Sequence, residues 1–534
     1  MTFTPRLNRF AAWGTEGPDP VSAAERELIA QVARHRFGVD HAPRTPVDPA
    51  TIELREPRMV VPDSLGAVVT AARADRLAHA WGKSFPDLAR AFCGLAPHTP
   101  DLVAYPRDET DIERILEWAS ATSVAVIPYG GGSSVVGGVT PDIGDDHTGS
   151  ISLDLQRLDQ VLEVDPVSRA ARVQAGVLGP AFADQLRPHG LALRHYPQSY
   201  QFSSVGGWIA TRAGGHYATG PTHIDDFVES VRMVSPAGLW QSRRLPASGA
   251  GPDPDRILLG SEGTLGVITE AWLRVQPRPS FRAGATVRFD SLTDAVSAVR
   301  TIAQSGLDPS NLRLLDRVEA LNSLVADGTC DVLVLGFESA DHDVGPALAR
   351  ALECCRDHGG AAMGEAGSSG QGSSGSAAES WRGSFTRMPF YRDVLMGYGI
   401  VSETFETAVT WDGFVGLYDA VLSSVGAALT AEGLSPASVS CRFTHVYPDG
   451  VAPYFTVLAK GTPGDLDRQW WPIKQAAADA IESAGGTITH HHAVGRDHVP
   501  WYRAERPEPF GAALRGLRSE LDPAGVMNPG VLDW

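Results

Sequence analysis

Three glycine-rich clusters between Pro128 and Ile268 constrain this chain more than any other feature. The first, Pro128-Tyr129-Gly130-Gly131-Gly132-Ser133-Ser134, follows the apolar run Ala125-Val126-Ile127. Consecutive glycines let backbone N–H groups converge on a phosphate with no Cβ in the way, and the serines add hydroxyl donors. Taken alone, such a turn is as readily a plain link between strands. A P-loop is excluded because the lysine of GxxxxGK[ST] is missing, and a Rossmann turn because there is neither a GxGxxG nor a helix pattern behind it. The second cluster, from Ser203 to Gly215, would let a flat ring system approach the backbone closely. The third, from Gly260 to Ile268, joins the run Ile257-Leu258-Leu259 to a strand-like stretch. Three such stretches in one region suggest one extended ligand.

A chain of 534 residues exceeds what one hydrophobic core usually supports, so two joined domains are expected. With 43% hydrophobic and 20% charged residues it reads as a folded globular protein. The net charge of −18 repels nucleic acid phosphates and anionic lipid, so neither is expected as a main partner. Cys93, Cys330, Cys354, Cys355 and Cys441 are odd in number and show no CxxC spacing, which argues against a disulfide framework or thiolate zinc site and for a reducing compartment. The first residues lack an apolar core of signal type, and no long uncharged apolar run suggests a membrane span. A cytoplasmic protein is expected, at most peripheral to the membrane. Phe10 and Trp13 in the arm RLNRFAAW could touch a membrane surface, although such arms more often pack on their own protein.

The spacing predicts an α+β protein. Residues 1–95 mix helical stretches with proline-rich connections and read as an N-terminal helical extension. Residues 96–280 are short β-rich runs separated by glycine clusters, with helices such as ETDIERILEWASAT. Residues 281–505 open in strand–helix–strand order, a second α+β domain. The glycine- and serine-rich stretch at 367–378 predicts a mobile loop or lid. Residues 506–534 form a helix and a proline- and glycine-punctuated end that returns to the first domain.

The PxGGGxS turn, the SSVGGWIATRAGG segment and the GSEGTLGVITE segment resemble, in order and spacing, the FAD-binding PCMH-type domain of the vanillyl-alcohol-oxidase superfamily. That resemblance implies FAD, with contacts from Pro128, Tyr129, Gly130, Gly131, Gly132, Ser133 and Ser134 at the pyrophosphate. It adds Gln198, Ser199, Ser203, Ser204, Thr211, Arg212, Ala213 and Gly214 along the flavin and ribityl chain. Glu262, Gly263, Thr264, Leu265, Gly266, Val267 and Ile268 would close over the remainder. An aspartate common in the family is replaced here by Gln198. No histidine stands at a recognised attachment position, so noncovalent FAD is implied and His195 and His216 read as structural.

Beyond the flavin domain, Tyr391-Arg392-Asp393, Gly399 to Thr407, Trp411-Asp412, Ser440-Cys441-Arg442, Tyr454-Phe455 and Gly485 to Gly495 resemble elements of the alkyldihydroxyacetonephosphate synthases, as does Arg313-Leu314-Leu315-Asp316. The resemblance runs from about residue 55 to the C-terminus. It implies a homodimer that exchanges the acyl group of an acyl dihydroxyacetone phosphate for a fatty alcohol through a flavin adduct, without net electron transfer. Arg392 offers a planar cationic fork for phosphate, against the plainer reading of a salt bridge to Asp393. Tyr454 is the candidate acid/base and needs a lowered pKa or a cationic neighbour near neutrality. His491 and His492 suit charge stabilisation and proton relay, with His490 beside them toward substrate. If Gly485 to Thr489 form a strand, adjacent imidazoles alternate faces and only two can meet a substrate. Related D-2-hydroxy-acid dehydrogenases carry a metal-type histidine pattern. Here Tyr454 and His491 replace two of its ligands, which disfavours a metal although His445 keeps its place. The rival reading is an FAD-dependent oxidoreductase of a hydroxy acid or alcohol, and a third is a protein that keeps FAD only structurally.

Overall fold

The apolar run before the first glycine cluster forms the strand Val124–Tyr129, buried along nearly its whole length. It pairs in parallel with Gly149–Asp154, which pairs in parallel with Leu102–Ala104. Parallel strands need a crossover, and Glu109–Thr122 supplies it. Asp108 accepts the N–H of Asp111 to start that helix, and Ile112, Ile115, Leu116 and Ala119 form its buried stripe. The computed structural model describes residues 3–363, 367–369 and 377–533.

A five-stranded antiparallel sheet follows, in the order Val161–Asp165, Ala170–Gln174, Val267–Arg274, Val228–Ser235, Gly238–Gln241. A larger antiparallel sheet holds, as successive neighbours, Asp331–Ser339, Asn311–Leu315, Ala437–Val446, Gly450–Lys460 and Ile400–Glu406. In that sheet Glu406 lies opposite Tyr454, and Tyr454 lies opposite Arg442 on the next strand. Directly opposed residues share a face, so three adjacent strands present these side chains as one row.

Both termini belong to this framework. Val126 donates its N–H to Val526 and accepts from Asn528, so the C-terminal segment pairs with the edge of Val124–Tyr129. Within the expected helical extension, Val69–Thr70 pairs with Leu102–Ala104, so part of it is sheet instead. The helix Ala23–Phe37 begins in a capping box between Ser22 and Glu25 and ends at Gly38 in the left-handed region. Glu25 also binds Arg387 and the Tyr391 hydroxyl, tying this helix to Ala377–Gly397.

Phe10 and Trp13 are 6% and 4% exposed, so the arm packs its aromatics against the protein, the commoner of the two outcomes expected. One sequence expectation is corrected. Phe414–Ala431, with a mean hydropathy of 1.5, is long and apolar enough by length and composition to cross a bilayer, which the sequence reading overlooked. Here its Phe414, Leu417, Val421, Val425 and Leu429 stripe packs into the protein core, an amphipathic arrangement made of apolar and small residues. Most of the glycine- and serine-rich stretch expected as a lid lies outside the described residues.

Asp101 fastens residues 55–58 to the parallel sheet. Its carboxylate accepts from Arg55 and Arg58 side chains and from the N–H groups of Arg58 and Ser150. Burial alone would raise this carboxyl, but those bonds hold it at about 2 against an ordinary 3.8. A depressed folded pKa stabilises the protein above the unfolded value, and that contribution disappears as pH falls through the folded one. Asp101→Asn should therefore lower the unfolding free energy in urea at pH 7 by about 2 kcal/mol, discounted for the half-exposed arginines. The gap between wild type and variant should narrow as pH falls from about 4 to about 2.

Candidate active site

A deep cavity runs between the two antiparallel sheets and the first glycine turn. Pro128 to Ser134, Gln198, Ser199, Ser203, Ser204, Thr211, Ala213, Gly214, Glu262, Gly263, Gly266 and Ile268 line one part of it. Close packing explains the glycines. A Cβ on Gly131 would stand 1.6 Å from the Phe202 carbonyl, and one on Gly130 would stand 2.1 Å from Ser204 Oγ. Ser204 caps the helix Val205–Thr211 through the N–H of Gly207. Ser134 Oγ accepts from the N–H groups of Val136 and Gly138 and keeps its own proton to donate. Backbone and small side chains thus wall a long slot, the shape that a flat dinucleotide requires.

Arg212, Thr264, Leu265 and Val267 stand outside that wall. Arg212 ends its helix in the left-handed region and pairs with Asp225 at 2.7 Å. Thr264 bonds the Ser261 carbonyl, while Leu265 and Val267 are core residues. These four shape the turns and leave the cavity to their neighbours. Glu262 accepts the N–H groups of Val494 and Gly495, and burial pushes it up to about 7. His195 and His216 are both buried and neither lines the cavity.

The other wall begins at Glu406, which is 2% exposed. Its carboxylate accepts the N–H groups of His490, His491 and His492 at 2.6, 3.1 and 2.9 Å, and the Thr489 hydroxyl at 2.6 Å. Residues 485–492 are therefore a loop curled around a carboxylate, not the strand the sequence suggested. Burial would raise Glu406, yet the surrounding histidines and Thr489 hold it well below the carboxylate range. Burial pushes His490 and His491 down and takes His492 to about 3, so all three rings are neutral at physiological pH.

His491 and His492 line the cavity, whereas His490 does not. His490 sits behind them, 2.7 Å from the Tyr447 hydroxyl, 3.1 Å from His223 Nε2 and 3.0 Å from His491 Nδ1. His445 Nε2 is 2.8 Å from the Gly215 carbonyl, which makes that nitrogen the protonated one. One ring nitrogen each of His445, His490 and His491 falls within 4.8 Å of the others. That spacing would admit a cation, which the replacement of two ligands by Tyr454 and His491 disfavours and the retained His445 keeps open.

Tyr454 and Arg392 both reach the cavity. Arg392 donates to the Lys83 carbonyl at 2.7 Å, and Asp393 accepts the Trp13 N–H at 2.6 Å. The expected acid/base thus finds its cationic neighbour in Arg442, whose guanidinium carbon is 3.9 Å from the Tyr454 ring centroid. Sequence reasoning quoted Glu406 and Arg442 only as parts of motifs and assigned them no task. Trp13, which also lines the cavity, has no site role in the sequence reading, which places it in an arm that packs on the protein or touches a membrane. Strand alternation could have flagged Arg442, since Arg442 and Thr444 fall on alternate positions of one strand. Nothing local marks Glu406 as the loop's anchor.

The chain matches the FAD binding domain family over residues 100–242 and the family of FAD linked oxidases, C-terminal domain, over residues 278–532. It is 30% identical over 480 residues to the alkyldihydroxyacetonephosphate synthase of Dictyostelium discoideum, covering 85% of this chain and 76% of that protein. The protein of the same description from Caenorhabditis elegans is 31% identical over 487 residues, covering 84% and 79%. A solved alkyldihydroxyacetonephosphate synthase structure superposes with a TM-score of 0.80 at 24% identity, covering 98% of each chain. The cofactor of the slot is FAD.

Two variants separate the walls. Gly131→Ala should yield folded protein with little flavin absorbance after gel filtration, because the added methyl displaces the Phe202 backbone. Glu406→Gln should retain FAD but lose turnover by on the order of 10²-fold, because the histidine loop loses its charged anchor. A Glu406→Gln rate within threefold of wild type would remove this carboxylate from the site's machinery.

Proposed function

The chain belongs to the alkyldihydroxyacetonephosphate synthase family, and we propose that it exchanges the acyl group of an acyl dihydroxyacetone phosphate for the alkoxy group of a fatty alcohol. One observation carries the reading: the glycine slot opens onto Tyr454, Arg392, His491 and His492 within a single cavity. Bound FAD supplies a nucleophilic ring nitrogen. Arg392, with Arg313 also in the cavity wall, holds the phosphate through charge-assisted hydrogen bonds. Tyr454 takes and returns a proton at the substrate carbon next to the ketone. His491 and His492, neutral and partly buried, donate hydrogen bonds to the departing carboxylate. Trp13, Val135 and Pro389 give the wall apolar surface that limits water and so favours the alcohol over hydrolysis.

Anaerobic mixing of the FAD-loaded protein with palmitoyl dihydroxyacetone phosphate and hexadecanol should release palmitate and form the ether product while the flavin spectrum returns to its oxidised form. Tyr454→Phe should bind substrate yet lower that rate by roughly 10²- to 10⁴-fold, the usual contribution of a general acid/base. Lasting bleaching of the flavin by a D-2-hydroxy acid, with ketoacid formed, would overturn the synthase reading in favour of an oxidoreductase.

A further inference from the structure

A phenol that must lose and regain a proton faces a difficulty at position 454. Tyr454 is 4% exposed, and burial raises its proton affinity. Its charged neighbours come from several elements. Glu403 and Glu406, on Ile400–Glu406, both favour the protonated phenol. His491 and His492, from the loop, pack their neutral rings at centroid distances of 6.0 and 5.4 Å. The opposing charge is Arg442, from the strand Ala437–Val446, in direct register with Tyr454 and 3% exposed.

Arg442 is held in place from behind. Its Nη1 donates to Glu319 Oε1 at 2.6 Å, and the other carboxylate oxygen of Glu319 accepts the Ser440 hydroxyl at 2.6 Å. Glu319 is 1% exposed and lies in the first turn of the helix Arg317–Asn322. Asp316 caps that helix through the Glu319 N–H and also accepts the N–H of Cys441. The guanidinium is thereby fixed over the ring face at 3.9 Å, and the hydroxyl edge stays outside the ion pair.

We propose that Arg442 is a positioning residue for Tyr454, a fixed positive charge that Glu319 pins against the phenol ring so that the phenolate is reachable at this buried position. The proposal rests on the acid/base reading of Tyr454. A cation on a ring face is drawn to the π-electrons, and the attraction strengthens when the ring becomes a phenolate. Placing the charge on the face rather than at the oxygen leaves the hydroxyl edge, which hydrogen-bonds the Thr404 side chain, clear of the guanidinium.

The test is fluorine NMR of the FAD-loaded full chain labelled with difluorotyrosine, whose phenol titrates within the folded range. The Tyr454 resonance is identified by its loss in Tyr454→Phe. Arg442→Gln should move its titration up by about one to two pH units relative to wild type, and Arg442→Lys, which keeps the charge, should move it by less. The upper limb of the pH–rate profile should follow the same order. An unchanged titration in Arg442→Gln, or an equal shift in the glutamine and lysine variants, would overturn the proposal. A titration that shifts while Tyr454→Phe keeps full turnover would leave the electrostatic role standing and remove the catalytic reading of Tyr454 instead.

Discussion

Glu406 is a buried carboxylate with no lysine or arginine paired to it among the described residues, and the active-site wall is built around that choice. A buried charge costs several kcal/mol unless hydrogen bonds replace its water. Four donors do so here, three of them consecutive backbone N–H groups that no regular strand could turn toward one point. The requirement to satisfy Glu406 dictates the curl of residues 489–492, and the curl dictates where three imidazoles stand. Because Glu406 is also in register with Tyr454, the loop and the phenol are referred to one position on one sheet.

The same sheet explains why charges of both signs survive in so dry a place. Arg442 neutralises Glu319, and the pair lies one strand beyond Tyr454 on the side away from Glu406. Tyr454 is thus bracketed by an anion and a cation at neighbouring positions of the strand pairing. Neither can approach or retreat without breaking β-ladder bonds. Such rigidity is what a site needs if its electrostatics are to be set before substrate arrives.

Much of this was legible in the sequence because it rests on local rules. The glycine clusters, the strand leading into the first of them and the crossover helix all follow from residue type and spacing over a few positions. The cavity contacts at Gly130, Gly131, Ser204 and Gly214 fall in those clusters. What escaped depends on long-range pairing. Arg212 looked like a cofactor contact within a small-residue run, but Asp225 draws it away. His490 looked like a substrate contact beside His491, but Tyr447 and His223 hold it behind the wall. The loop at 485–489 carries β-prone residues, and only the distant Glu406 overrides them. What covers Phe10 and Trp13 was not legible, because their ring partners, Trp81 and Phe202, are far away in the chain.

The C-terminal segment closes the cofactor slot. Asn528 donates to the carbonyls of Gly138 and Glu262, and its neighbours zip onto Val126 at the root of the glycine turn. During synthesis the glycine clusters leave the ribosome hundreds of residues earlier than the strand that completes them, roughly tens of seconds at ordinary elongation rates. The FAD domain is therefore discontinuous in time as well as in sequence. Until residues 526–528 emerge, its edge lacks a partner, and the intervening second domain must fold without drawing that edge into its own sheet. A polypeptide that stops short of Asn528 has every glycine in place and no clasp.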